Sequence, residues 1–277
     1  MEFLGPAILI TGGFPIWQAW RANRDSSLSH AIGWGTVGWV AWCLAGVTLL
    51  RNPASAEQMV YIALCFTGGA GVAVLGARRP GVTAWNLVVV GLLAVNLLPL
   101  AEGLMHGGRP NLDLFRTICV AGTIIVGILN YLPTRLAPAS VLLLAGVGLL
   151  FRSMIVVEPF AANEDVGFRI GMLLVDCVPW LAYASVRARP AADSEFNYRW
   201  LDFRDRYGFV WGQRLRDQFN RSAANAAWPV ILRWQGLRVR RGSTPPGEPQ
   251  QEQILATLKA LMKRFTQGID IANRPVT

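Results

Sequence analysis

Asp176 is a carboxylate in the middle of an apolar run, followed by Cys177, Pro179 and Trp180, and no other acidic residue lies so deep inside such a run. An ionisable side chain at mid-membrane costs at least ~2.5 kcal/mol, so by default it faces a bundle interior or a wet cavity and marks the handling of an ion, a proton or a substrate. A structural reading fits equally well: the carboxyl is satisfied by Asn130, Asn96 or Thr123 on a neighbouring helix. Pro179 suits both readings, because it frees the carbonyl of Val175 one turn earlier. The candidate substrate or ion site is therefore Asp176 with Asn130, Asn96 and Trp180. Asn86 is a further candidate cavity liner, although interhelical hydrogen bonding is the commoner use of an intramembrane Asn.

Other reactive side chains point to no chemistry. Cys43, Cys65, Cys119 and Cys177 all fall in apolar runs without a Cys-x-x-Cys pair, and they read as small buried hydrophobes. His30 and His106 fall in loops expected on opposite membrane faces, so they cannot clasp a haem, and neither belongs to a zinc motif. Phosphate-loop, nucleophile-elbow and dinucleotide-turn signatures are missing. No catalytic residue, metal site or cofactor is expected.

Positioning falls to seven apolar spans, residues 3–20, 31–50, 59–77, 82–100, 117–132, 137–151 and 168–186. Most approach the ~20 residues that cross a bilayer core, and only helices satisfy their own backbone there. Composition agrees, with 53% hydrophobic residues, 16% charged residues and a mean hydropathy of +0.36. The expected fold is an all-α polytopic membrane protein of about seven transmembrane helices with a small, mostly helical C-terminal domain. The first span carries Gly5, Pro6, Gly12, Gly13 and Pro15, and the sixth is short, so either can be kinked, tilted or re-entrant. A cleaved signal peptide fits the first span less well, because Glu2 replaces the usual basic region. Pro15, Pro133 and Pro179 are candidate helix kinks.

Charge is divided unevenly. Residues 1–186 carry a net +1 and residues 187–277 a net +8, out of +9 in all. The short loops tie in arginine count. The run Arg187, Arg189, Arg199, Arg204 and Arg206 after the last span then places the tail in the cytoplasm, with the N-terminus outside if all seven spans cross a cell membrane. Nucleic acid is a poor partner, since no recognition motif accompanies the charge. The lipid bilayer is the expected partner, with anionic headgroups or a subunit of a membrane complex as further partners for the tail.

Small residues Cys65, Gly69, Ala73 and Ala77 recur every four residues and predict a close-packing face, within the bundle rather than at a dimer seam. In the tail, Trp200, Phe203, Tyr207, Trp211, Leu215 and Phe219 recur every three or four residues and predict an amphipathic helix over 195–227. Packing in a small cytoplasmic domain is preferred for this face over the lipid interface, because Asp202, Asp205 and Asp217 lie on the same helix. A short strand within 229–239, a linker at 242–249 and a helix over 250–266 complete it.

The stretch Phe14-Pro15-Ile16-Trp17-Gln18-Ala19-Trp20-Arg21, with Asp25-Ser26-Ser27-Leu28-Ser29 after it, resembles the start of PQ-loop and SWEET-type membrane proteins. The resemblance implies two parallel three-helix repeats joined by a linker helix, and movement of small solutes. Spans one to three, span four, and spans five to seven divide accordingly, with Pro133 matching Pro15. No Gln follows either proline, span three has no Asn, and the tail has no counterpart. Three functions stay open: a small-solute transporter or permease with an intramembrane carboxylate; a non-catalytic subunit, scaffold or assembly factor acting through its basic tail; and, third because of the missing motifs, a membrane enzyme.

Overall fold

The computed structural model describes residues 4–78, 82–105, 112–155, 166–188 and 192–265. Glu2, Phe3, Arg79, His106, Arg109, Glu158, Glu164, Asp165, Arg189 and residues 266–277 lie outside that set, as does part of the hinge-like segment at 188–193.

The first expected span is two short helices, α1 (Leu4–Thr11) and α2 (Gly13–Asn23). Pro15 explains the break: it has no amide to offer the Thr11 carbonyl, and its ring crowds that oxygen. Six long helices follow: α3 (Ser29–Arg51), α4 (Pro53–Leu75), α5 (Val82–Met105), α6 (Leu114–Tyr131), α7 (Ala137–Ile155) and α8 (Val166–Arg187). Each is long and apolar enough to cross a membrane, which makes the chain a multi-pass membrane protein, with six such helices among the described residues rather than seven. Local signals set their starts. Pro53 opens α4, where a missing amide does no harm, and the Asp113 carboxylate caps α6 by accepting from the Arg116 amide at 2.8 Å.

Packing between neighbours closes these helices into a ring. α3 packs on α4, α4 reaches across to α6, α6 meets α7, α7 meets α8, and α1 and α2 lie against both α8 and α3. α5 stands outside, against α4 and the edge of α6, and its outer face, including Leu87 at 73% exposure, is turned to lipid. Glycines permit the tightest crossings. A Cβ on Gly127 would lie 2.8 Å from the Gly71 Cα, and one on Gly146 would lie 2.9 Å from the Gly171 carbonyl oxygen. The small-residue stripe of α4 is a contact within the chain: a Cβ on Gly69 would lie 3.2 Å from Leu93 of α5.

The tail folds as α9 (Glu195–Asn225), a hairpin of β1 (Val230–Arg233) and β2 (Gly236–Val239), α10 (Glu248–Met262) and a 3₁₀ turn, Lys263–Phe265. The single strand expected at 229–239 is this hairpin, Val230 pairing with Val239 and Arg233 with Gly236. Gly236, at φ +139°, lets the chain turn back after Trp234 and Gln235, a reversal that alternation of apolar residues cannot signal. Asn220 clips the hairpin to α9 by accepting from the Leu232 amide at 2.7 Å and donating to its carbonyl at 3.0 Å. All six residues of the aromatic face, Trp200, Phe203, Tyr207, Trp211, Leu215 and Phe219, are buried. Phe265 packs edge-on against Phe203, Tyr207 and Trp211 at 4.9–5.3 Å between ring centroids.

The glycine crossing gives a paired prediction. Gly127→Val overpacks the α4–α6 contact and should cost about 1–3 kcal/mol, read as a lower melting temperature in detergent. Gly122→Val, on the same helix with open space around it, should leave melting unchanged.

Candidate functional site

Inside the ring lies a chamber of about 630 Å³, within the ~300–1,000 Å³ typical of small-molecule sites. Six helices supply wall: Ile16 from α2, Ala31 from α3, Val74 from α4, Ile128 from α6, Ala139 from α7 and Ala182 from α8. Among the described residues, α1 and α5 supply none. Pro15 and Pro179 both line it. The chamber occupies the half of the bundle nearer the tail, and its charged residues gather at that end: Arg135, Arg187, Asp202, Asp205 and Arg206.

This charged roof is built where α9 breaks. Gly208 sits at φ +77°, a conformation open to glycine and strained for other residues, so the helical hydrogen-bond ladder is interrupted there. Asn130, near the end of α6, fills the gap. Its Nδ2 donates to the Tyr207 carbonyl at 3.3 Å, and its Oδ1 accepts from the Val210 amide at 3.0 Å. Any Cβ at position 208 would collide with Asn130. Around this point the Tyr131 hydroxyl donates to the Arg206 carbonyl at 3.0 Å, and the Trp211 indole donates to the Val74 carbonyl at 3.1 Å. Asp205, 4% exposed, accepts from Arg135 Nε at 2.5 Å and from Arg204 Nη2 at 2.7 Å, while Arg204 also donates to the Trp234 carbonyl. The Ser27 amide and the Tyr207 hydroxyl both donate to the Phe265 carbonyl at 3.0 Å, which fixes the Lys263–Phe265 turn of the tail to the α2–α3 loop.

Pro133 kinks no helix. It lies in the turn after α6, where its carbonyl accepts from the Trp234 indole at 2.7 Å; Leu132 before it is still helical and bonds the Ile128 carbonyl, and the ladder stops at the proline, which has no amide to continue it. Pro179 stays inside α8.

Asp176 lies one turn from Pro179, farther from the tail, and is 3% exposed. None of its three expected partners serves it. Asn130 is committed to α9. Thr123 donates to the Val120 carbonyl at 2.7 Å. Asn96 lies on α5, outside the ring, where its backbone carbonyl accepts from Tyr61 at 2.6 Å and its own Nδ2 is buried without a partner. The neighbours of Asp176 are Gly5, on which a Cβ would come within 2.8 Å of Oδ2, and Cys43 of α3, within electrostatic reach. Among the described residues nothing hydrogen-bonds Oδ1 of Asp176, which is buried. Trp180 is a fastener: its indole donates to the Ile8 carbonyl at 3.2 Å, as Trp39 does to the Leu9 carbonyl at 2.8 Å, so α8 and α3 both grip α1. Asn86 accepts from the Trp34 indole at 3.3 Å and links α5 to α3.

Sequence reasoning missed the Arg135–Asp205–Arg204 cluster. Its members stand among many other charges, and only the docking of α9 brings Arg135 to the other two. It also missed Gly5 beside Asp176, whose signal was no more than a small residue in a broken helix. Among the described residues no group of His, Cys, Asp and Glu could hold a metal ion. Comparison with protein families, curated proteins and solved structures found no match to this chain. Fold and site together define a polytopic helical membrane protein with a roofed internal chamber.

Replacing Asn130 by Leu leaves the Tyr207 carbonyl and the Val210 amide unpaired, at about 1–3 kcal/mol each. The tail should loosen, and limited proteolysis within α9 should become several-fold faster than in the native chain. Burial pushes the Tyr207 hydroxyl above the ordinary tyrosine range. The docked tail therefore favours the neutral phenol: docking holds below pH ~10 and weakens as pH climbs from there toward the raised value. Tyr207→Phe should remove that part of the alkaline slope in the same proteolysis assay.

Proposed function

We propose that this protein is a small-solute transporter or permease whose substrate occupies the chamber, with Asp176 as the intramembrane carboxylate that binds the coupling ion or proton. The observation that carries this reading is Asp176 Oδ1, buried without a hydrogen bond among the described residues, one turn beyond the chamber-lining Pro179. A buried carboxylate oxygen that no described residue hydrogen-bonds favours a functional use over a structural one. The tail side is cytoplasmic in this reading, because the excess arginine lies there. A PQ-loop or SWEET-type relationship, which rests on the stretch from Phe14 to Arg21, is in keeping with this reading. The scaffold alternative would act through the basic surface of the tail, since its aromatic face is buried within the chain.

The test is flux in reconstituted vesicles, using solutes identified as bound by native mass spectrometry of the purified protein. Asp176→Asn is expected to lower flux at least ten-fold while expression and tail docking stay native. Undiminished flux in that variant removes the reading.

A further inference from the structure

The chamber's chemistry specifies its occupant more closely than a small solute. We infer that it takes a single-chain amphiphile with an anionic head, the chain lying between the ring helices and the head resting under α9 beside Arg187. This rests on the chamber being the substrate site.

Charge and polarity carry the inference. Wall positions away from the tail are almost wholly aliphatic, from Ile124 and Leu143 to Val178, which offers a polar solute little to bind. The roof is the reverse, and its charges are already apportioned. Asp205 is held by Arg135 and Arg204, and Asp202 by Arg206 at 3.0 Å. Both acids are thus neutralised within the chain. Arg187 is different. Among the described residues no carboxylate pairs with it, and its guanidinium lies 4.6 Å from the centroid of the Tyr183 ring. Arg187 and Tyr183 both line the chamber. A guanidinium presents a planar fork of donors that suits a carboxylate or a phosphate, and the ring beneath keeps it oriented. The occupant thus meets an aliphatic shaft and one cation at its end. A neutral lipid would gain nothing from that cation, which is solvent-exposed, and a cationic one would be repelled.

Photolabelling of the full chain in nanodiscs with a diazirine-bearing palmitate tests this, with labelled peptides mapped by mass spectrometry. Label is expected on chamber positions of α6, α7 and α8, competed by palmitate or lysophosphatidate but not by cetyl alcohol; which acid competes better distinguishes carboxylate from phosphate heads. Arg187→Gln, an exposed position at a helix end, should lower labelling about ten-fold. Ala139→Phe, which fills the shaft, should abolish it, with resistance of α9 to proteolysis showing that each variant is folded. Label confined to the outer face of α5, equal competition by cetyl alcohol, or labelling indifferent to Arg187→Gln overturns the inference. Occupancy is read here without flux. Specific labelling in a protein that moves nothing would sink the transporter reading and leave the site, whereas flux without labelling would do the opposite.

Discussion

A helix broken in its middle must find partners for the backbone groups it frees, and here those partners are the two ends of one amide side chain. Asn130 meets the Tyr207 carbonyl and the Val210 amide at once, so the bend of α9 and the end of α6 define each other. An unmet donor or acceptor buried at that junction would cost about 1–3 kcal/mol, which makes one register of the tail on the bundle favourable and its neighbours poor. The roof, the position of Asp205 and the closure of the chamber all follow from that register.

Charge then supports what the backbone contact has fixed. Asp205 is nearly inaccessible, and a lone buried carboxylate would be strongly unfavourable. Two guanidinium groups, one from the α6–α7 turn and one from α9 itself, share its oxygens, and the second also reaches the Trp234 carbonyl in the hairpin turn. Three separate parts of the chain meet at one acid. The arrangement adds specificity more than net stability, because desolvating three charged groups offsets much of their attraction.

Sequence patterns revealed the bundle well and its interior poorly, for a physical reason. Hydrophobic length is a local property, so helices such as α3 and α8 announce themselves, and the 3.6-residue recurrence of Trp200 to Phe219 announces α9. The break at Gly12 was foreshadowed by Pro15 and its neighbouring glycines, although whether such a run bends or parts depends on what grips it, here Trp39 and Trp180. Partner choice is not local. Asn130, Asn96 and Asn86 look alike in sequence, yet one clasps the tail, one sits on the peripheral α5 and one joins α5 to α3. The chamber had no signature at all, since a void is made by where six helices stop short of each other. The tail's aromatic stripe predicted burial but not against what, and the hairpin turned on a glycine that alternation ignores.

The roof also carries a consequence for how the molecule is made. Its walls, from Ile16 to Ala182, precede every residue of α9 in the chain, and synthesis runs from the N-terminus onward, so the bundle enters the bilayer as an open cup. Until the turn at Phe265 has emerged and seated against Ser27, the aliphatic shaft faces whatever surrounds the nascent chain. Loading an occupant before the cover seats would be possible during biogenesis without any motion of the finished protein, and a chain stopped short of α9 would remain an uncovered vessel.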